Sequence, residues 1–259
     1  MDVKSFDSLF ARLDDLKECA VRGSLGISAF FSPREVVAAM EYLKKSRTPF
    51  ISFGGYNDAE RKKIYVLPDY IEESDDVRVL SDFGFSCEIE CVSVKGSGFE
   101  KLSHRAVMGS ILGLGIERDA IGDIVMLNEH EAVFFCNSNL IGFFEEALER
   151  IGHDKVKVKR IELDESIIPE RKVVRINDTV ASARLDCVVA ALCSLSRERA
   201  KEKITSALVE LNYECEEHPD RAVETPSVIS VRGVGKFRVI SLSDVTRKGR
   251  YRLVAEKFL

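Results

Sequence analysis

The sequence predicts an α+β protein of three small domains, at residues 1–74, 75–166 and 167–259. At 259 residues the chain exceeds the roughly 100–150 residues of a common single domain. Its middle third switches between strand and helix periodicity in a countable order, β-α-β-β-α-β. Its charge is unevenly shared: the net charge is −5, yet residues 171–259 hold 17 Lys+Arg against 12 Asp+Glu, while residues 1–170 hold 21 against 31. Such asymmetry points to an anionic partner for the last domain alone.

Composition narrows the class. Hydrophobic residues at 45% and charged residues at 31% exclude wholesale disorder. No apolar run approaches the ~20 residues that span a bilayer, and residues 1–20 read as an acidic amphipathic stretch rather than a secretion signal. A cytoplasmic protein with no membrane partner is expected. The seven cysteines fit reduced thiols. Cys87 and Cys91 are four apart and Cys187 and Cys193 six apart, with no histidine at zinc-ligand spacing, so they read as core residues. No metal or other cofactor is expected.

The first domain reads as α-rich, with short strands near its end. Its clearest helix follows Ser32: Ser32 and Glu35 form a capping box, Pro33 takes the first helical position, and Val36, Val37, Met40 and Leu43 share one face. A turn at Phe53-Gly54-Gly55-Tyr56 precedes Ala59-Glu60-Arg61-Lys62-Lys63.

In the second domain, residues 85–94, 123–127, 132–136 and 155–161 read as strands. One helix is capped near Ser103, turns Val107, Met108, Ile111 and Leu112 inward, and stops at Gly115. The other runs over about 139–151, with Phe143, Phe144, Ala147 and Leu148 inward and Gly152 as its stop. This is the ferredoxin-like, RRM-like pattern, shared by RNA-recognition modules and many other proteins. Phe134 and Phe135 are adjacent, so one faces each side of the sheet, and core packing is the expected use of both. The polar stretch from Leu163 to Lys172, with Pro169 inside it, reads as a linker.

The third domain opens with two short helices. Leu185, Val188, Val189 and Leu192 make the buried stripe of the first, and the second starts at the N-cap Ser196 and buries Ala200, Ile204 and Leu208. Arg197 and Lys201 lie one turn apart at the edge of that stripe, with Arg199 and Lys203 further round. Strands follow at 228–231, 236–240 and 250–254, where alternation sets Lys236 and Arg238 against Phe237 and Val239, and Arg250 and Arg252 against Tyr251 and Leu253. From Arg232 to Arg252 there are seven basic residues and one acid, Asp244. The expectation is one basic surface shared by helices and strands, suited to the phosphates of structured RNA.

These residues carry a resemblance. The run Arg184-Leu185-Asp186, then Ser196-Arg197, Ala200, Ile204, Val209 and Asn212, resembles the RNA-binding domain of ribosomal-protein-S-four type, also called αL. The segment Ser230 to Phe237, followed by Thr246-Arg247-Lys248-Gly249-Arg250, is similar more narrowly to the YlmH family of bacterial RNA-binding proteins with such a C-terminal domain. Gly54-Gly55-Tyr56, Ala59-Glu60-Arg61, His104-Arg105, Gly109, Leu112 to Ile116, Arg118 and Ile121-Gly122-Asp123-Ile124 agree with it. The chain departs from the pattern at Ala106, where His-Arg-Asp is usual, at Ala207, where glycine is usual, and at Pro226-Ser227, where Gly-Asp is usual.

The resemblance implies a non-enzymatic, rRNA- and tRNA-binding protein whose partner is the large ribosomal subunit, with links to ribosome-associated quality control and to cell division. No small-molecule substrate is expected. It adds Arg184, Ser196, Asn212, Arg232, Arg247 and Lys248 to the candidate RNA-binding set of Arg197, Arg199, Lys201, Lys203, Lys236, Arg238 and Arg250.

Other readings are weaker. Arg184-Leu185-Asp186 also matches the catalytic motif of pseudouridine synthases, but here it opens the helix pair of the binding domain itself, where Asp186 is expected to pair locally. Gly233-Val234-Gly235-Lys236 lacks the spacing of a phosphate-binding loop, and Gly113-Leu114-Gly115 ends a helix rather than joining a strand to one. His104 near a helix start reads as structural. A protein-interaction adaptor, with an acidic N-terminal part anchored by the last domain, is compatible with the RNA-binding reading.

Overall fold

In the computed structural model, residues 3–72, 74–162, 168, 173–245 and 249–258 are described. The chain divides into two compact units, residues 1–169 and 170–259.

Unit one begins with helix α1 (Val3–Val21), short strand β1 (Gly26–Ile27), helix α2 (Pro33–Lys45) and strands β2 (Phe50–Phe53) and β3 (Lys63–Val66). The capping box is present: the Ser32 amide donates to Glu35 Oε2 at 2.8 Å and the Glu35 amide to Ser32 Oγ at 3.4 Å. Leu9 and Leu13 of α1 pack on Val36, Ala39 and Leu43 of α2 over a sheet of order β1-β3-β2. The one-turn helix α3 (Val79–Asp82) follows.

The second part of unit one runs β4 (Ile89–Gly96), α4 (His104–Gly113), β5 (Ile121–Met126), β6 (Glu131–Asn137), α5 (Ile141–Ala147), β7 (Arg150–Ile151) and β8 (Asp154–Ile161). Its antiparallel order β5-β6-β4-β8-β7 is the split β-α-β-β-α-β sheet, with β7 a short addition at the edge. Val107, Ile111, Phe134 and Phe144 share the core between sheet and helices. Two expected core residues, Leu112 and Phe143, are instead exposed. Helix α5 ends four residues early, because Leu148 leaves helical geometry and the chain enters a tight β7–β8 hairpin whose turn contains Gly152 at φ 60°. The first strand starts at Ile89 rather than at 85, since Phe85 and Cys87 pack on Tyr65 and Leu80.

The far face of this sheet is covered by the first part of the same unit. Phe135 stacks on Tyr56 with centroids 5.1 Å apart, and Phe30, Ala59, Cys91 and Val133 complete the cluster. Burial raises the thiols of Cys91 and Cys136 to about 12, Glu90 adding to it, so both stay protonated at neutral pH. Asp123 locks the joint: Oδ2 accepts from the Tyr56 hydroxyl (2.9 Å) and the Glu60 amide (2.7 Å), and Oδ1 accepts from the Arg61 amide (3.0 Å). Arg61 donates to the carbonyls of Ile121, Phe30 and Arg118, and Arg118 to those of Ile121 and Gly122. Burial depresses the Arg118 guanidinium to about 10, with Arg61 beside it adding to the shift, and it remains a cation.

Unit two has β9 (Val173–Val180), helices α6 (Leu185–Leu192) and α7 (Arg197–Thr205), then β10 (Val209–Leu211), β11 (Glu214–Cys215), β12 (Ser227–Val231), β13 (Gly235–Val245) and β14 (Tyr251–Phe258). Among the described residues these strands form one antiparallel sheet, β11-β10-β12-β13-β14-β9. The helices lie on one face, burying Leu185, Val188, Leu192, Ala200 and Ile204 against Ile229, Phe237, Val239 and Leu253. Both helices end in the same turn. Leu195 donates to the Ala190 carbonyl and Leu208 to that of Lys203, with Ser194 (φ 52°) and Ala207 (φ 56°) in the left-handed conformation that glycine usually fills. The departure at Ala207 thus falls where a Cβ costs most.

Two opposite stability effects are expected. At Gly55 (φ 104°) a Cβ would lie 2.1 Å from the Phe135 ring; Gly55→Ala should destabilise unit one by about 3 kcal/mol or more. Ala207→Gly should stabilise unit two by about 1 kcal/mol through relief of left-handed strain. Urea unfolding followed by circular dichroism checks both.

Candidate nucleic-acid interface

At the start of α6, Asp186 is 0% exposed and holds two arginines. Arg184, the N-cap residue, brings Nε to Oδ1 at 3.2 Å, and Arg197 of α7 brings Nε to Oδ2 at 3.0 Å. Burial opposes ionisation of Asp186, but the hydrogen bonds from Arg184 and Arg197 outweigh it and hold its carboxyl below the ordinary value. The arginines remain 40% and 51% exposed, so Asp186 orients two guanidinium edges at the surface. The carboxylate is thus engaged by two arginines at a helix start, which is the local pairing expected of Asp186.

On α7, Ser196 Oγ accepts from the Arg199 amide at 3.3 Å, so its hydroxyl serves the helix cap. Arg199 and Lys201 are exposed and Lys203 half-buried, and none has an ion-pair partner among the described residues. Arg250 binds the Thr179 side chain and carbonyl, and with Arg197 lines a ~380 Å³ hollow between the end of β9 and the helix pair.

The strand cations lie elsewhere. Phe237 and Val239 face the helices, so Lys236 and Arg238 point to the opposite side of the sheet. There Lys236 Nζ sits 4.8 Å from the Tyr213 ring centroid and Arg238 Nη2 pairs with Glu256 at 2.7 Å, both beside Phe258. The expected single basic surface is therefore two surfaces, because the helices occupy the face that period-two alternation gives to the apolar residues. Asn212 shapes the hairpin: at φ 50°, its Oδ1 accepts from the Val228 amide at 2.9 Å. Arg232 is exposed in the β12–β13 turn. Arg247 and Lys248 lie outside the described residues, as does the expected linker apart from Ile168.

The sequence reading passed over the lysines of β8, Lys155, Lys157 and Lys159, which alternate along one exposed face. Their signal was present in Lys155-Val156-Lys157-Val158-Lys159. The Tyr213 and Phe258 rings beside Lys236 had no signal, since strand pairing alone brings them together.

Fold and cations together define an α+β protein with a split-βαβ domain and a helix-pair-on-sheet domain, each presenting basic side chains. Residues 83–165 match the family model described as "Putative RNA-binding domain in YlmH". Over 232 residues the chain is 28% identical to "Ribosome-associated protein quality control protein P2" of Bacillus subtilis (strain 168), the alignment covering 89% of this chain and 86% of that one. A solved structure of the cell division protein ylmH from Streptococcus pneumoniae aligns with a TM-score of 0.48 at 22% identity, over 62% of this chain and 93% of that one. The YlmH resemblance read from the motifs is thus found again by the family model and by the relative. Among the described residues no helix is long and apolar enough to cross a membrane.

Asp186→Asn should cost about 2 kcal/mol, by weakening the charge-assisted hydrogen bonds that Arg184 and Arg197 donate to a buried acceptor. Because the folded-state pKa is depressed, the stabilisation is present above the unfolded value of about 3.9 and is lost as pH falls through the folded one. Wild type should therefore lose more stability on acidification below pH 4 than the variant, measured by urea unfolding across pH.

Proposed function

We propose that this protein is a non-catalytic factor of the bacterial cytoplasm that binds structured rRNA and tRNA on the large ribosomal subunit, in ribosome-associated quality control. The observation that carries the reading is the likeness to a ribosome-associated quality control protein along nearly the whole chain. The chemistry of unit two supports it. Arg184 and Arg197 are held rigidly by Asp186, Arg199 and Lys201 stand unpaired on the adjoining helix, and Arg250 borders the same hollow. Rigid guanidinium forks and free cations suit phosphates of fixed geometry, as in folded RNA. The first sheet offers no stacking platform, since Phe134 and Phe135 are both in the core.

In this reading Arg184, Arg197, Arg199, Lys201, Lys203 and Arg250 form the principal RNA contact, Arg247 and Lys248 adjoin Arg250 in sequence, and Arg232 contributes from the β12–β13 turn. Lys236 and Arg238 form a second contact on the other side of the sheet. Ser196 and Asn212 act by shaping the cap and the hairpin that present these cations.

Sucrose-gradient sedimentation of cell extracts tests the proposal. Wild type should travel with large subunits at low salt and leave them at high salt, because phosphate contacts release counterions. Arg199→Glu with Lys201→Glu should keep the protein at the top of the gradient, whereas Lys44→Gln with Lys45→Gln, at the exposed end of α2, should not. Wild type that never sediments with subunits overturns the ribosomal assignment.

A further inference from the structure

We propose that a lysine ladder on β8 of unit one is a second RNA-contacting surface; the proposal rests on the RNA-binding reading of the chain and gives it a site outside unit two. Lys155, Lys157 and Lys159 are all exposed, point to the same face and follow one another at roughly 7 Å, two strand residues apart. Unit one is acidic, and several other exposed cations on or beside this sheet have acidic partners: Lys95 pairs with Glu131, Lys101 with Glu129 and Arg160 with Glu90. The three ladder lysines have no acidic partner among the described residues.

Their cross-strand neighbours make the arrangement costly for folding. Lys155 lies opposite Arg150, whose guanidinium donates only to the His153 carbonyl among the described residues, and Lys157 opposite Lys95, whose charge Glu131 offsets in part, while Lys159 faces Ser93. Like charges directly across a strand pair oppose folding. Charged side chains on an edge strand discourage unwanted strand pairing, but that purpose does not call for setting two of them opposite like charges in succession. A polyanion laid along the strand relieves both.

A second observation selects nucleic acid among polyanions. Phe99, in the loop after β4, is 93% exposed, an orientation that packing does not explain. The loop is fixed to the start of the ladder: the Ser97 amide and hydroxyl both donate to Asp154, the residue before Lys155, and the Phe99 amide donates to Ser97 Oγ at 3.3 Å. A row of phosphate-binding cations ending in an open aromatic face suits an RNA backbone with one unpaired base stacked at its end. The whole surface lies within the segment matched by the RNA-binding-domain model.

The test uses the full chain and three fluorescent probes: an RNA hairpin with a single-stranded tail, the same hairpin without the tail, and poly-glutamate. Lys155→Gln, Lys157→Gln and Lys159→Gln together should weaken hairpin binding more than tenfold at 0.1 M salt and flatten the salt dependence by about three units of slope, about one for each lost phosphate contact. The unfolding midpoint should hold or rise, since two like-charge pairs are removed. Phe99→Ala should weaken binding of the tailed hairpin several-fold and leave the blunt one unchanged. If the triple variant binds like wild type while Arg199→Glu with Lys201→Glu abolishes binding, the ladder is not a site and the RNA-binding reading survives. If wild type binds neither hairpin, both fail together. Binding of poly-glutamate as tight as RNA, lost in the triple variant, would mean that the ladder recognises an acidic protein.

Discussion

The geometry of unit one depends on a single carboxylate, Asp123, at the start of the second strand of the split sheet. By accepting from a hydroxyl and two backbone amides of the 56–61 segment, it fixes that segment across the open face of the sheet, while Arg61 donates to the carbonyls of Ile121, Phe30 and Arg118. Glycine is required at this joint by contact distance alone. A Cβ at Gly54 would meet the Arg61 carbonyl oxygen at 2.2 Å, and one at Gly122 would meet the Phe30 ring at 2.8 Å. The cluster of Gly54, Gly55, Tyr56, Arg61, Gly122 and Asp123 is thus a device for closing a sheet. Its consequence is chemical: with Phe135 covered, any RNA contact by this domain has to come from the sheet's edge and loops.

Much of the fold was legible because apolar periodicity and capping chemistry are local. Ser32, Ser103 and Ser196 each cap the helix they were expected to start, and the βαββαβ order followed from counting. What failed depended on information that is not local. Leu112 and Phe143 stand next to Ile111 and Phe144, which the core buries fully, and lie about 100° round the helix from them on the side that stays exposed. Strand β9 went unread because its sequence, mostly exposed in the fold, lacks apolar alternation and owes its existence to the ladder it makes with β14.

The site shows the same division. Basic character of the last domain was readable from composition, and the local pairing of Asp186 from its place at a helix start. Which cations share a surface was not readable, since Lys236 and Arg197 are separated by the sheet itself. The role of Ser196 and Asn212 also changes on folding: both have the donors and acceptors of a binding residue, and both use them on their own backbone. Residues that present a binding surface and residues that touch the ligand can look alike in sequence.

The order in which the chain is made has a consequence for the sheet of unit two. Strand β9 is the first of its strands to be synthesised, yet it pairs with β14, from Val180 opposite Tyr251 to Val173 opposite Phe258, through eight consecutive residues whose partners are made last. Until residues 251–258 have left the ribosome, the edge of β9 that β14 covers stays open, since β14 is its one neighbour in the sheet among the described residues. The late partner makes the assembly of this unit non-local and slow. A nascent copy interrupted before β14 would present that edge to proteases and chaperones as a marker of its own incompleteness.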